Sequence, residues 1–316
     1  MAPRRKSANP PARGQGRLLA ARLLAAGVGI AAGLGLLGLM WPEGDRAVKP
    51  EELPTAEALA DVPSRAITVL LIGSDADRRG AVRNGAAPAG PANSDALVLV
   101  RVEPKGPLQV LSLPVDAAVL LPGDKRPVAL GSLYRRGGPA LVAGASAELL
   151  ALPAGQPDRY LVLPRAALRQ LVDDLGRLEL SPDRTMRYRD KAQKYTISLE
   201  GGLQQLNGSQ VEQLLRFRDS ESGEEGRRGR QHQVIESAMR QMGQHRQLQQ
   251  LPDLLRQLQN EVDTNLTQSE ALSLLAAALQ QSTPIRFRSL ALKPPLKPGD
   301  RLRQVDATAV DQAWPR

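Results

Sequence analysis

The sequence predicts an α/β protein, an α-β-α sandwich around a central mixed sheet, preceded by a single N-terminal transmembrane helix. Three observations support this fold class. Residues 23–41 form an uncharged apolar stretch, strand-like runs begin at Ile67, and helical periods alternate with further strands as far as Leu292. With 316 residues, 42% of them hydrophobic, the chain is long enough to bury a substantial core.

The N-terminal segment predicts a membrane anchor. Residues 1–22 form a basic tail with six Arg or Lys residues and no acid, and residues 23–41 carry no charge. A helix over 23–41 would be about 28 Å long, close to the hydrocarbon thickness of a bilayer. The arginine excess before it predicts a cytoplasmic N-terminus and an exported remainder. A buried core helix and a cleaved signal peptide are the alternatives, but no small-x-small cleavage pattern follows the span.

Composition argues against several classes of function. The chain has no cysteine and 2 histidines, which excludes a disulfide scaffold, a cysteine nucleophile and a Cys- or His-rich metal centre. The basic tail accounts for most of the net charge of +9, and aromatic residues make up 3% of the chain. We therefore expect no nucleic-acid partner. Of the histidines, His232 is predicted to be a surface side chain rather than a general base.

After a Pro- and charge-rich linker at 42–65, strands and helices are predicted in turn. The strands are Ile67–Ile72, Ala96–Val102, Leu108–Leu113, Tyr160–Leu163, Tyr195–Leu199 and Ile285–Leu292. The helices are Pro139–Leu150, Ala166–Leu175, Ser209–Leu215, Arg230–Gln247 and Ala271–Gln280. A capping box at Thr267 opens the last helix. The main domain is predicted over 66–247, and 248–316 as a C-terminal extension that packs on it and frays at its end.

Two aspartates flank neighbouring strands. Asp75 lies just after the first predicted strand and Asp95 just before the second. If these strands are antiparallel neighbours, the two carboxylates converge, and a cation between them would offset their repulsion. Oxygen-only ligation suits Mg²⁺ or Mn²⁺. Alternatively, each aspartate caps a turn.

An arginine-rich segment follows in the second half of the chain. In an extended chain, Arg216 and Arg218 share one face while Phe217 turns toward the core. Arg227 and Gln231 are four residues apart and share a helix face. Arginine forks match phosphate oxygens, so the four side chains predict a diphosphate site. A solvated charged loop is the alternative.

The order of these segments resembles the LytR-CpsA-Psr family of bacterial envelope proteins. The matching segments are VLLIGSD (Val69–Asp75), NSDALVLVRVEPK (Asn93–Lys105), VLSLPVDAAVLLPG (Val110–Gly123), LYRRGGPALV (Leu133–Val142), RYLVLPRAALRQLVDDLG (Arg159–Gly176) and LNGSQVEQLLRFRDSESGEEGRRGRQHQVI (Leu206–Ile235). They cover a little over half of the chain, and the arginine segment is the most specific of them.

The resemblance implies a glycopolymer phosphotransferase. Such proteins move a glycopolymer from a polyprenyl-diphosphate carrier, whose lipid lies in an apolar tunnel, to peptidoglycan or another envelope acceptor. It implies that Asp75 and Asp95 hold Mg²⁺ (or Mn²⁺), and that Asp75 also takes part in catalysis with two of the arginines. The implied phosphate-binding residues are Arg216, Arg218, Arg227 and Gln231, of which Arg216 and Arg218 are the catalytic pair. The expected location is the inner cell membrane, single-pass, with the globular domain on the extracytoplasmic side.

Five positions depart from the family pattern, and the mildest change is Glu224 in place of aspartate. Asn93 and Val115 stand where the family has arginine, and Ala129 and Gly131 where it has lysine and asparagine. Basic residues that could replace the lost charge are Arg78, Arg79, Lys125, Arg126, Arg135 and Arg136. Two other functions stay open: a catalytically degenerate polyprenyl-diphosphate binder, and a transcriptional regulator or attenuator. The sequence shows no helix-turn-helix pattern that would favour the regulator.

Overall fold

A six-stranded mixed sheet organises the chain in a computed structural model, which describes residues 55–81, 91–191, 195–218, 223–281, 283–295, 297 and 299–314. Along these residues the strands are β1 (Ile67–Ser74), β2 (Ser94–Val102), β3 (Gln109–Leu113), β4 (Ala118–Val119), β5 (Val128–Ala129), β6 (Arg159–Leu163), β7 (Leu178–Leu180), β8 (Met186–Asp190), β9 (Tyr195–Leu199), β10 (Gln204–Leu206), β11 (Asp263–Thr264) and β12 (Arg286–Ser289).

The α-helices lie mainly in the second half of the chain. They are α1 (Leu133–Leu149), α2 (Arg165–Asp174), α3 (Gly208–Arg216), α4 (Gly223–Met242), α5 (His245–Leu258), α6 (Gln268–Leu279) and α7 (Ala307–Ala313). Single 3₁₀ turns occur at Ala56–Ala58 and Leu130–Ser132. The capping box predicted at Thr267 is present, since its side chain accepts from the backbone N–H of Glu270.

The sheet has the strand order β11-β6-β1-β2-β3-β12. Strand β1 is antiparallel to β2 and parallel to β6, and β2 is antiparallel to β3. The predicted central mixed sheet is therefore confirmed. The remaining strands form the two-stranded pairs β10-β7, β4-β5 and β8-β9.

The two faces of the sheet have different neighbours. Leu70 and Ile72 of β1 are fully buried in a core that includes Leu133 of α1 and Trp314 after α7. On the opposite face, residues of β2 and β3 cluster with α4 and α6, for example around Ala277. Because side chains alternate along a strand, each strand contributes to both layers. Helices thus lie on both faces of the sheet, as in the predicted α-β-α sandwich.

The predicted helix Arg230–Gln247 is wrong in its bounds. Helix α4 begins earlier, at Gly223, and ends at Met242, and a separate helix α5 begins at His245. The helical conformation is interrupted at Gln244, whose backbone is extended (φ −71°, ψ 138°). The sequence analysis missed α5 because the segment is polar and contains Pro252, which disfavours a helix interior. Tertiary packing of its leucine face outweighs the cost of the proline.

The chain beyond residue 247 supplies both edge strands of the sheet, since β11 pairs with β6 and β12 with β3. The sequence predicts a frayed end, but Trp314 is only 4% exposed and packs into the core beside α1. Burial of a large aromatic surface fixes this part of the tail.

The predicted tail (1–22), membrane span (23–41) and most of the linker lie outside the described residues. Within the described ranges, no helix combines the length and the apolar character that a membrane crossing requires.

Gly208 gives a test of the packing between α2 and α3. A Cβ built on Gly208 would overlap the carbonyl oxygen of Arg169. The backbone N–H of Gly208 donates to Asp173 Oδ1 at 2.8 Å. We expect Gly208→Ala to lower the free energy of unfolding by about 1–3 kcal/mol in chemical denaturation, because α3 must shift. Gly229→Ala is the matched control: a Cβ there has nothing within 4 Å, and alanine favours helix. Equal effects of the two substitutions would contradict this packing.

Candidate functional site

A large apolar cavity lies between the second face of the sheet and the helices that cover it. Its volume is about 990 Å³. The sheet contributes Leu71, Val98, Val100 and Leu161, and the helices contribute Leu171, Val234, Met239, Leu254 and Leu274. The predicted apolar face of α4, with Val234, Ala238 and Met242, borders this cavity.

The mouth of the cavity is polar. All six residues predicted for the site border the cavity: Asp75, Asp95, Arg216, Arg218, Arg227 and Gln231. They come from four places in the chain, namely the end of β1, the start of β2, the end of α3 and the first turns of α4. The tertiary structure therefore brings the two predicted clusters, carboxylates and arginines, to one site.

An irregularity in the pairing of β1 with β2 shapes the carboxylate side of the mouth. Gly73 pairs with Ala96, whereas Ser74 pairs with Ser94, so Asp95 is an extra residue on β2. Bulges of this kind re-aim a side chain, and they recur next to active sites. The antiparallel pairing of β1 with β2 that the sequence analysis assumed is confirmed, and the irregularity falls at Asp95.

Asp75 is held by the segment that leads into β2. Its backbone N–H donates to the carbonyl of Asn93 at 3.1 Å, and the backbone N–H of Asn93 donates to Asp75 Oδ1 at 2.7 Å. These reciprocal bonds fix the carboxylate of Asp75 at the mouth. They also place Asn93, which also borders the cavity, directly beside it.

Arg227 connects α4 to the carboxylate side. Its side chain is buried, its Nη1 donates to the carbonyl of Asp95 at 2.8 Å, and its Nε donates to Glu224 Oε2 at 2.9 Å. Gln231 lies one turn later on the same helix and borders the same cavity. The shared helix face predicted for Arg227 and Gln231 is thus confirmed.

Arg216 and Arg218 flank a buried phenylalanine, as predicted, but not within a continuous extended segment. Arg216 ends α3, and the extended backbone begins at Phe217 (φ −61°, ψ 129°). Buried Arg230 fixes this junction, because it donates to the carbonyls of Leu214 and Phe217 at the end of α3. The junction projects both arginines to the mouth.

Sequence reasoning missed Glu212, a buried carboxylate behind the mouth. Glu212 is 4% exposed and pairs with three cations: Arg165 at 2.7 Å, Arg169 at 2.5 Å and Arg216 at 3.4 Å. Two signals were available. Glu212 is four residues before Arg216 on a helix, and Arg165 follows the end of β6, which is parallel to β1 and so ends at the same sheet edge.

The ring of Tyr195 supports Arg216. The guanidinium carbon of Arg216 is 4.2 Å from the ring centroid, which is a cation–π contact. Burial, and then the charge of Glu212, raise the pKa of Tyr195 to about 12. The phenol therefore stays neutral at physiological pH, and Arg216 is held between an aromatic face and a carboxylate.

The prediction of a surface position for His232 is wrong. Its Nε2 lies 2.8 Å from Ser112 Oγ, and its ring stacks on Phe287 with centroids 4.4 Å apart. Burial, and then the charge of Arg228, lower the pKa of His232 below 6.5. His232 is not part of the cavity wall. It therefore serves packing between α4 and the sheet edge.

Comparison with known proteins agrees with this geometry. A family model described as the LytR_cpsA_psr family matches residues 46–315. The chain belongs to the LytR-CpsA-Psr family. The fold of this LytR-CpsA-Psr protein is similar to a solved structure of Bacillus subtilis TagV, with a TM-score of 0.64 and 20% identity over 80% of this chain and 95% of TagV.

Two curated relatives of this LytR-CpsA-Psr chain are similar over part of their length. Biofilm regulatory protein A of Streptococcus mutans is 29% identical over 158 residues, 47% of this chain and 38% of that protein. Polyisoprenyl-teichoic acid–peptidoglycan teichoic acid transferase TagU of Bacillus cereus is 25% identical over 209 residues, 66% of this chain and 62% of TagU. The chain thus spans about two fifths to three fifths of these relatives.

Glu212 provides a stability test. Glu212→Gln removes the carboxylate that Arg165, Arg169 and Arg216 share, while Arg165 keeps its pair with Asp77 and the other two arginines are partly exposed. We expect a loss of about 1.5–3 kcal/mol in the free energy of unfolding, measured by chemical denaturation. The control is Glu236→Gln, whose exposed pair with Arg240 spans 3.8 Å and should change stability by less than about 0.5 kcal/mol. A Glu212→Gln effect as small as the control would contradict the network.

His232 predicts a pH dependence of stability. Since the folded state lowers the pKa of His232, the unfolded state binds a proton more readily. The free energy of unfolding should therefore fall as the pH drops through about 6.5, the ordinary histidine pKa, toward the lower folded value. Between pH 7.5 and 5, the free energy of unfolding of His232→Asn should decline less than that of the wild-type protein. His245→Asn, at an exposed position, should decline as much as the wild-type protein. Identical profiles for all three proteins would contradict this assignment.

Proposed function

We propose that this protein transfers a glycopolymer from a polyprenyl-diphosphate carrier to peptidoglycan or another envelope acceptor. The observation that carries the proposal is the cavity of about 990 Å³, apolar along its length and lined at its mouth by arginines and two aspartates. A ligand complementary to it has a long apolar tail and an anionic head. The name of the relative TagU, a polyisoprenyl-teichoic acid–peptidoglycan teichoic acid transferase, supports the same donor and acceptor classes.

The apolar wall would bind the lipid through the hydrophobic effect. Each buried methylene of a prenyl chain contributes about 0.8 kcal/mol. Leu, Val and Met side chains from the sheet and from α2, α4, α5 and α6 form this wall. Because the wall has little polarity, it selects for a hydrocarbon tail rather than for a particular headgroup.

The arginines of the mouth would bind the phosphates. In the proposed reaction a hydroxyl of the acceptor attacks the phosphorus that bears the sugar, and the bond from that phosphorus to the bridging oxygen breaks. A phosphodiester forms, polyprenyl monophosphate leaves, and the hydroxyl proton is released. Negative charge grows on the leaving phosphate, so preorganised donors such as Arg216 and Arg218 lower the barrier. Arg227 and Gln231 would hold the phosphates from the α4 side.

The two aspartates fit a magnesium ion. Asp75 and Asp95 both border the mouth, and Mg²⁺ is usually bound by one or two carboxylates together with substrate phosphates. Within the described ranges, no group of three or more His, Cys, Asp or Glu side chains could hold a metal. We propose that the ion is held by Asp75 and Asp95 and completed by the phosphates of the donor. When bound, the ion (Mg²⁺ or Mn²⁺) would neutralise phosphate charge.

A membrane location follows from the same proposal. The donor lipid resides in the bilayer, and the segment at 23–41 would anchor the protein there with its N-terminus in the cytoplasm. We therefore propose a single-pass protein of the inner membrane whose globular domain faces the envelope.

The test is a transfer assay with the full chain in detergent. The donor is a polyprenyl-diphosphate-linked disaccharide, the acceptor is peptidoglycan, Mg²⁺ is present, and released polyprenyl monophosphate is measured. Asp75→Asn and Arg216→Gln should each lower the rate by about 10²–10³-fold, because each removes a group that stabilises transferring charge. Arg240→Gln, at an exposed position on α4, should leave the rate unchanged.

The outcomes separate the alternatives. Donor binding without release of monophosphate would favour a degenerate binder, for which the missing arginine at Val115 provides the reason. Failure to bind any polyprenyl diphosphate would contradict the proposal. The name of biofilm regulatory protein A keeps a regulatory role in view. A C-terminal topology reporter found in the cytoplasm would favour that role and contradict the envelope location.

A further inference from the structure

Arg135 borders the same cavity as the arginines of α3 and α4, but it comes from a different helix, α1. It lies in the first turn of α1, and its Nε donates to Asn93 Oδ1 at 2.6 Å. Asn93 in turn donates its backbone N–H to Asp75 Oδ1 at 2.7 Å. A single asparagine thus positions both a cation and a predicted metal ligand, Arg135 and Asp75, at the mouth.

The structure distinguishes Arg135 from the other basic residues that could replace the missing family arginines. Arg78, Arg79, Lys125, Arg126 and Arg136 all lie in described ranges, and none of them borders the cavity. The neighbouring Arg136 instead makes a bidentate pair with Asp124, at 2.6 and 3.2 Å. Adjacent arginines on one helix therefore have different surroundings, one at the mouth and one in a surface ion pair.

Gly131 explains how α1 comes close enough to present Arg135. Its N–H donates to the carbonyl of Val115 at 2.8 Å, and its carbonyl accepts from Ser94 Oγ at 2.9 Å. A Cβ on Gly131 would lie 2.8 Å from the carbonyl oxygen of Ser94 and 2.9 Å from the Cβ of Val115. The absence of a side chain at 131 therefore lets the start of α1 lie directly against β2. Arg135 follows one turn later.

The charges around the mouth indicate what Arg135 can bind. Arg216 shares Glu212 with two other arginines, and Arg227 and Arg218 share Glu224. By contrast, Arg135 donates a hydrogen bond to the neutral amide of Asn93, and within the part of the chain that the structure describes it makes no ion pair. Its two terminal nitrogens match two oxygens of a phosphate.

We propose that Arg135 is a phosphate-binding residue of the donor site, and that it supplies from α1 a positive charge that Asn93 and Val115 cannot supply. This inference rests on the proposed function. It extends that function by naming a residue at a position outside the predicted arginine segment. The ligand chemistry is a diphosphate headgroup attached to a hydrocarbon chain.

The experiment is isothermal titration calorimetry of the full chain in detergent with Mg²⁺. The probes are geranylgeranyl diphosphate and the uncharged alcohol geranylgeraniol. Arg135→Gln should weaken binding of the diphosphate about tenfold, since a partly exposed charge-assisted contact is lost, and should leave binding of the alcohol unchanged. Arg135→Lys should weaken binding of the diphosphate less than Arg135→Gln does, because the charge remains while the two-nitrogen contact is lost. Arg136→Gln is the matched control and should bind both probes with the affinity of the wild-type protein.

Each result decides the proposal. If the unchanged protein does not bind geranylgeranyl diphosphate, both the proposed function and the role of Arg135 are overturned. If the unchanged protein binds it and Arg135→Gln binds it equally well, the role of Arg135 is overturned while the proposed function stands. An equal loss for the diphosphate and the alcohol would show that Arg135 serves only the fold, which also overturns the phosphate role.

Discussion

The buried carboxylate of Glu212 is the interaction on which the candidate site depends. A carboxylate removed from water is costly unless cations and hydrogen bonds compensate it. Arg165, Arg169 and Arg216 do so here, and they come from α2 and α3. The same contacts that neutralise Glu212 therefore join two helices and orient Arg216, whose other neighbour is the ring of Tyr195. The contacts of Glu212 thus stabilise the packing of α2 on α3 and also orient Arg216.

The mouth of the cavity balances its charge locally. On the α3 and α4 side, each arginine that borders the cavity shares a glutamate, Glu212 or Glu224. The negative charge of each glutamate offsets the repulsion between neighbouring guanidinium groups when no phosphate is bound. On the β2 side the arrangement differs, because Asn93 holds Arg135 through a neutral amide. Arg135 therefore adds a cation from α1 to the cavity that the arginines of α3 and α4 also border.

Much of the fold could be predicted because its signals are local. The apolar run at β1, the strand that follows the turn at β3 and the capping box at Thr267 are readable from neighbouring residues alone. The six residues predicted for the site all border one cavity, while their roles stay predictions. Helix α5 was missed because it contains Pro252, and its stability comes from leucines that pack against other elements. His232 was wrongly predicted to lie at the surface, because its contacts with Ser112 and Phe287 come from distant parts of the chain.

The sequence by itself determined the periodicities of the main strands, the residue types of the two functional clusters and the family resemblance that joins them. Each of these depends on residues close together in the chain or on the order of segments. Only the tertiary structure decided that Glu212 pairs with three arginines, that the bulge singles out Asp95, and that Arg135 rather than Arg136 reaches the mouth. These outcomes depend on how distant elements pack and on which buried charges compensate each other, and neither is encoded in local spacing.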